Sequence, residues 1–469
     1  MARAIKQHNI DRILHHPSIL KGIVIMAIPV FLNNLLKSLH DMVDAIFVAR
    51  MPVDSQATLD AALTALNIHW PVYFLFMAFG TGLGIATVAM VSQYVGAGKR
   101  ELATAYASKL FMMAMILSLV AIAIFFFTSD IVVGYNVFAY LMGARGEALD
   151  FAGSYFRIRS FDLFFVFMFM VYQAIRQATG ETLYPVILNM GSIVLNMGLT
   201  WLFVSRMNMG IDGAAYATLV AHASVTPLIM IDLLTSKRHL RLSFTDMKLS
   251  LPVIKDMSRF AMPAATGQAL NSIGFIVIQS IILFYGNDVS AGFSVGNRIA
   301  MLLLNPVVAI SAVLAAYVGL NIGHNQPVRA KDSFRVAAWM AVVLMTVGIA
   351  IFIPLRGPII ALILNTQVSS SYRIAYEYSV WILLTQPFFG LYQIMVGLFN
   401  GSGHPKLTMK MGLVRLWAIR IPLVVAFMYL FPPDDYSGVW YAMVISNILI
   451  LFYAYHLKKQ INYEVRVTI

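Results

Sequence analysis

Long apolar stretches with almost no alternation of polar and apolar positions dominate the chain. Uncharged runs cover residues 22–36, 61–98, 110–129, 163–175, 182–205 and 213–231 in the first half, and 260–287, 299–328, 336–355, 378–405, 421–433 and 436–457 in the second. Lipid offers no water to unpaired backbone groups, so each run must be a helix or part of a closed barrel. Barrel strands would alternate lipid-facing and lumen-facing residues, and these runs do not. Most are long enough for a helix crossing a hydrocarbon layer of about 30 Å. The pattern predicts an all-α membrane protein with twelve transmembrane helices.

The segment 236–251 (SKRHLRLSFTDMKLSL) is the longest charged stretch between runs and lies near the middle. It divides the chain into an N-lobe of residues 1–235 with helices 1–6 and a C-lobe of residues 252–469 with helices 7–12 and a short tail. The halves resemble each other. IMAIPVFLNNLLKSL around Pro29 recurs as RFAMPAATGQALNSI around Pro263, and VSQYVGAGKRELA as VGLNIGHNQPVRA. ATGETLYP returns more loosely as GSGHPKLT. Six spans per half give both repeats the same orientation, an arrangement found in alternating-access transporters with a site between the halves near the midplane.

Composition agrees with this reading. Of 469 residues, 60% are hydrophobic and 12% charged, against about 25% charged in soluble domains. No cysteine is present, which excludes disulfides and thiolate chemistry. The net charge of +12 needs no nucleic acid to explain it. With the N-terminus in the cytoplasm, the linker and Lys99, Arg100, Arg176, Arg329, Lys331, Lys406, Lys410, Lys458 and Lys459 all fall inside, as the positive-inside rule expects. External turns then hold Asp130, Glu147, Asp212 and Asp288, with Arg50, Arg145, Arg206 and Arg356 as exceptions. The expected location is a bacterial or archaeal inner membrane, multi-pass, with both termini cytoplasmic. The basic residues ahead of the first run resemble a signal peptide, but no small-residue cleavage site follows, so an uncleaved first span is expected.

Polar residues inside the expected spans carry the candidate chemistry. Lys37, Asp41 and Asp44 follow i, i+4, i+7 spacing and share a helical face, which His40 borders. A charge at the bilayer centre costs about 2.5–3.5 kcal/mol, so such groups pair or line a wet cavity. One reading is a Lys37–Asp41 ion pair that only tethers the helix; the other is a carboxylate, Asp44 above all, that binds a cation or proton. Lys37 can neutralise one acid but not both. Asn196 and Thr200 lie four apart in the fifth run and Thr218 in the sixth; polar side chains of this kind also serve as helix–helix contacts. Asn271, Asn297 and Arg298 are the comparable insertions in the C-lobe and are candidate substrate contacts. Arg415 and Arg420 are expected to snorkel to the cytoplasmic surface beside Lys406 and Lys410. Ten histidines show no HExxH-like spacing, and no GxxxxGK[ST] occurs. Neither a resident metal or other cofactor, nor an enzymatic activity, nor an ATPase subunit is expected, and a monomer is.

Several blocks together resemble the multidrug and toxin extrusion (MATE) family of the MOP superfamily: NNLLKSLHDMVDAIFVAR, FGTGLGIATVAMVSQYVGAGKRELA, QATGETLYPVILNMGSIVLNMGLTWLF, GNRIAMLLLNPVVAISAVLAAYVGLNIGHNQPVRA and FNGSGHPKLTMKMGLVRLWAIRIPL, in order along nearly the whole chain. The resemblance implies a V-shaped pair of six-helix lobes that exports organic cations against inward Na⁺ or H⁺. The chain looks most similar to the DinF-like prokaryotic branch. That likeness implies a coupling site of Asp44, Asn196 and Thr218, with Thr200 where the branch carries a second Asp; Asp41 is a candidate for the missing carboxylate. The acid that the NorM-like branch carries on helix 7 corresponds here to Asn271, so coupling is expected in the N-lobe. Cation uptake is expected to bend helix 1 near Pro29, which lacks an N–H.

Three rival readings carry different signatures. A lipid or lipid-linked oligosaccharide flippase of the same superfamily would use cationic residues such as Arg298 and Lys37. A major-facilitator importer would carry a GxxxDRxGRR loop, where this chain has VGAGKRELA. An intramembrane aspartyl enzyme would need its two acids on two helices.

Overall fold

A computed structural model describes residue 10 and residues 13–49, 56–142, 144–236, 240–364, 366–432 and 435–467; within these, the side chains of 38–49, 56, 57, 59, 60, 63, 67 and 131 lie outside the description. The described backbone is helical, with no strand. In the N-lobe the membrane helices are α1 (Ile19–Ala49), α2 (Gln56–Gly96), α3 (Arg100–Phe127), α4 (Glu147–Ala178), α5 (Leu183–Thr200, running on as a π turn over Trp201–Arg206) and α6 (Gly210–Thr235). In the C-lobe they are α7 (Leu251–Phe284), α8 (Asn287–Gly323), α9 (Pro327–Leu364), α10a (Ser370–Leu384), α10b (Gln386–Gly401), α11 (Pro405–Leu413, a π turn over Val414–Arg420, then Ile421–Leu430) and α12 (Ser437–Lys458).

Among the described residues eleven helices are long and apolar enough to cross a membrane, and the pair α10a/α10b, bent by 53°, supplies the twelfth span. The molecule is a V-shaped bundle of two six-helix lobes. α1 begins and α12 ends on one side, which is therefore the side of both termini. Five acids on the opposite side occupy first helical turns: Asp130, Glu147, Asp150, Asp212 and Asp288. There the unpaired N–H groups of a helix start favour negative charge.

Helix 4 is longer than its uncharged run. The run starts after Asp162, whereas α4 begins at Glu147 and takes in Arg157, Arg159 and Asp162. Those charges remain in the helix because neighbouring helices supply partners.

The lobes meet on the side of the termini, and glycine makes the approach possible. A Cβ on Gly96 of α2 would collide with the Leu320 carbonyl of α8, and one on Gly323 with the Gln93 carbonyl. Gly319 leaves room for Ser92, and Gly82 for the Ala261 backbone of α7. The Gln177 carboxamide at the end of α4 donates to the Ala312 carbonyl of α8. Around this seam, Arg329 donates to the carbonyls of Ile13 (3.0 Å) and His16 (2.7 Å). The Arg466 backbone N–H donates to Gln93 Oε1 at 2.9 Å, and its side chain lies 2.7 Å from His404 Nε2. Both terminal segments thus press on the same closed end.

Candidate functional site

Three candidate polar residues of the fifth and sixth helices come together inside the N-lobe. Asn196 and Thr200 sit one helical turn apart on α5, and Thr218 faces them from α6. Asn196 Nδ2 donates to Thr218 Oγ1 at 3.0 Å, Thr200 Oγ1 donates to Asn196 Oδ1 at 3.4 Å, and all three are buried. Thr218 Oγ1 also donates to the Ala214 carbonyl (3.0 Å). The cluster offers neutral oxygens, which suit a hard monovalent cation. The backbone at Asp41, Asp44 and His40 is helical, as part of α1. Their side chains lie outside the described residues. Lys37 is exposed.

α1 is tied to the region of α5 on both sides of Pro29. Thr182 Oγ1 donates to the Met26 carbonyl at 3.0 Å, three residues before the proline. Asn189 Nδ2 donates to Asn33 Oδ1 at 2.6 Å, four residues after it, with both side chains buried. The helix runs through Pro29 unbroken. A groove of about 300 Å³ lies beside this stretch, between α1 and the C-lobe helices α8 and α9. Val24, Ala27, Ile28, Phe31, Pro306 and Trp339 are among its lining residues, and its surface is wholly apolar.

The sequence reading missed a second N-lobe cluster. Asp162, fully buried at mid-length of α4, accepts from the Tyr73 hydroxyl of α2 (2.9 Å), pairs with Arg159 one turn away (2.9 Å) and meets His222 Nδ1 of α6 (2.5 Å). The Arg159 guanidinium also lies 4.9 Å from the Tyr73 ring centroid. His69 packs edge-on against Tyr155 and Phe156 and tilted on Tyr73. The i, i+3 spacing of Arg159 and Asp162 puts opposite charges on one helical face, as the i, i+4 spacing of Lys37 and Asp41 does. A third buried charge, Arg176, pairs with Asp232 of α6 at 2.8 Å and donates to the Leu240 carbonyl at 3.0 Å. It anchors the linker and is not a free loop charge.

The C-lobe candidates do not form one cluster. Asn271 is half-buried and packs over Gly412 of α11. Asn297 Oδ1 accepts from the Tyr378 hydroxyl at 3.0 Å. Arg298 is exposed and makes no hydrogen bond or ion pair among the described residues. The expectation that Arg415 and Arg420 snorkel is overturned: they are 3% and 4% exposed. Both belong to the π turn, with nine residues of α11 before it and ten after it, so neither reaches a membrane surface. Lys406 and Lys410 are exposed.

Comparison with known proteins completes the picture. A family model described as MatE matches residues 29–202 and again 263–426, more than half of the chain, each match beginning at the proline of a repeat. "Probable multidrug resistance protein YoeA" of Bacillus subtilis (strain 168) is 25% identical over 461 residues, covering 95% of this chain and 96% of that protein. A FAD transporter of Shewanella oneidensis (strain MR-1) is 24% identical, covering 91% of each. Among solved structures, the outward-facing conformation of a multidrug resistance MATE family transporter of the MOP superfamily superposes with a TM-score of 0.83 at 21% identity, over 94% of this chain and 95% of that one.

Proposed function

The chain belongs to the MatE family of membrane transporters, and on that premise we propose that it exports amphipathic organic cations by antiport with Na⁺ or H⁺. The observation that carries the reading is the buried Asn196–Thr200–Thr218 cluster, whose oxygens converge from two helices. Asp44, with Asp41 as second carboxylate, supplies the negative charge that neutral oxygens lack. Lys37 and His40 modulate that charge. Each positive charge that enters down the membrane potential contributes about 2.3 kcal/mol per 100 mV.

The termini lie in the cytoplasm in this reading, because the basic residues Lys99, Arg100, Lys331, Lys458 and Lys459 gather on the side of the termini. The closed seam is then the inner gate, and the protein faces outward. Cation uptake repacks α1 about Pro29, between its ties at Met26 and Asn33, and the apolar groove beside α1 changes shape with it. That change expels the cargo, whose flat apolar part suits the groove. Drug-resistance proteins among the relatives support this choice of cargo.

The test is ethidium efflux from energised cells with Na⁺ and the pH gradient varied independently. Asp44→Asn is expected to abolish efflux while the protein still reaches the membrane and purifies as a folded monomer. Normal efflux by Asp44→Asn in proteoliposomes would remove the coupling assignment. Loss of efflux on collapsing only one of the two gradients identifies the coupling ion.

A further inference from the structure

Arg415 and Arg420 place two positive charges at mid-depth in the C-lobe, and every contact that described residues make to them is neutral. Arg420 donates through Nε to Ser446 Oγ (2.8 Å) and through Nη2 to Asn447 Oδ1 (2.6 Å) of α12. Asn447 in turn donates to Thr385 Oγ1 at 3.3 Å. The Arg415 guanidinium lies 4.8 Å from the Phe389 ring centroid and 4.7 Å from that of Tyr392, two rings stacked on each other in α10b. Arg415 Nε is buried and has no hydrogen-bond partner among the described residues. These partners satisfy some donors and leave the charge in place. Buried charges in proteins are paired or hold a ligand, and here no Asp or Glu among the described residues forms an ion pair with either arginine.

The backbone is irregular at the same depth. α10 breaks at Thr385, between Leu384 and Gln386, and α11 widens into its π turn. Interrupted helices survive within a membrane where they are buried in protein or line a cavity, and π turns are frequent at functional positions. A guanidinium group presents a planar fork that matches two oxygens of a carboxylate or phosphate.

We propose that Arg415 and Arg420 form a binding site for one oxyanion, a carboxylate or phosphate group that is either a free inorganic ion or part of a larger transported molecule. The site goes beyond the cation exchange assigned to the N-lobe and does not depend on it. Arg298, the C-lobe arginine that the sequence offers as a candidate substrate contact, is exposed and is not part of it.

Trp417 lies between the two arginines in the π turn and donates to the Leu270 carbonyl at 3.0 Å, so its fluorescence reports on the site. The full-length protein in lipid nanodiscs is titrated with inorganic phosphate, phenyl phosphate and benzoate at constant ionic strength, reading tryptophan emission and the unfolding temperature. Saturable responses are expected from at least one of them. Arg415→Gln and Arg420→Lys, the second of which keeps the charge but not the fork, are each expected to weaken binding about ten-fold or more. Binding of phenyl phosphate at least about ten-fold tighter than inorganic phosphate assigns the oxyanion to a larger molecule, and equal affinities assign it to the free ion; both support the site. The proposal is overturned if no probe gives a saturable response, or if affinity is unchanged in both variants. Neither result bears on Asp44 or on ethidium efflux, so this proposal and the export reading fail separately.

Discussion

The two lobes handle buried charge in opposite ways. At mid-depth in the N-lobe, Asp162 draws Arg159, Tyr73 and His222 from three helices into one compensated network. At mid-depth in the C-lobe, Arg415 and Arg420 have aromatic faces, a hydroxyl and a carboxamide, but no counter-charge among the described residues. A paired charge holds helices together and is costly to break. An unpaired one is poorly suited to that task and well suited to receiving something of opposite sign. These two clusters therefore do different work: the charge at Asp162 is committed to packing, and the charge at Arg415 and Arg420 is left available.

The largest effect expected from this contrast is at Asp162. Asp162→Asn leaves Arg159 buried without its counter-ion and should cost about 3–5 kcal/mol, read as thermal or denaturant unfolding in mixed micelles. Combining Asp162→Leu with Arg159→Met should recover most of that loss, because it removes both charges together. Wild-type stability in the single variant would erase the contrast. Arg415→Met should leave stability unchanged or raise it by up to about 3 kcal/mol, since it replaces a buried charge that has no counter-ion among the described residues by an apolar chain. A loss as large as that of Asp162→Asn would reveal a counter-charge outside the described residues.

The smallest effect concerns the loop between the C-lobe helices α10b and α11. Burial, and then the neighbouring Arg466 guanidinium, push the His404 imidazole down from 6.5 to about 4. A group with a lowered folded pKa favours the docked form above its free value and loses that contribution as pH falls. The C-terminal tail should therefore be fully docked above about pH 6.5 and loosen toward about pH 4, seen as rising mobility of a spin label at Glu464. His404→Gln should flatten that profile. A wild-type profile that is already flat would mean that the Arg466 contact does not hold the tail.

Much of the fold was readable because lipid imposes a simple rule on backbone groups. The uncharged runs located the twelve spans, and Pro29 and Pro263 marked the repeat that the family match follows. The same rule hid Asp162. A search for uncharged runs stops at any charge, whereas this one is retained inside α4 by partners 89 and 60 residues away. Arg415 and Arg420 were misplaced for a related reason: counting from Lys406 suggests a surface position, and nothing local shows that the intervening turns climb to the centre of α11. Within the candidate site, spacing alone put Asn196 and Thr200 on one face. Their closure onto Thr218 depends on how α5 packs on α6, which residue spacing does not encode.

The glycine-lined seam has one further consequence. Where main chain rests on main chain, as between Gly96 and Leu320 or Gly323 and Gln93, there is little width for a continuous thread of water. For the ion-driven export proposed above, any such thread would be a short circuit, so the missing side chains would act as insulation: adding a single methyl there would prop the halves apart and let the driving force bleed away without work.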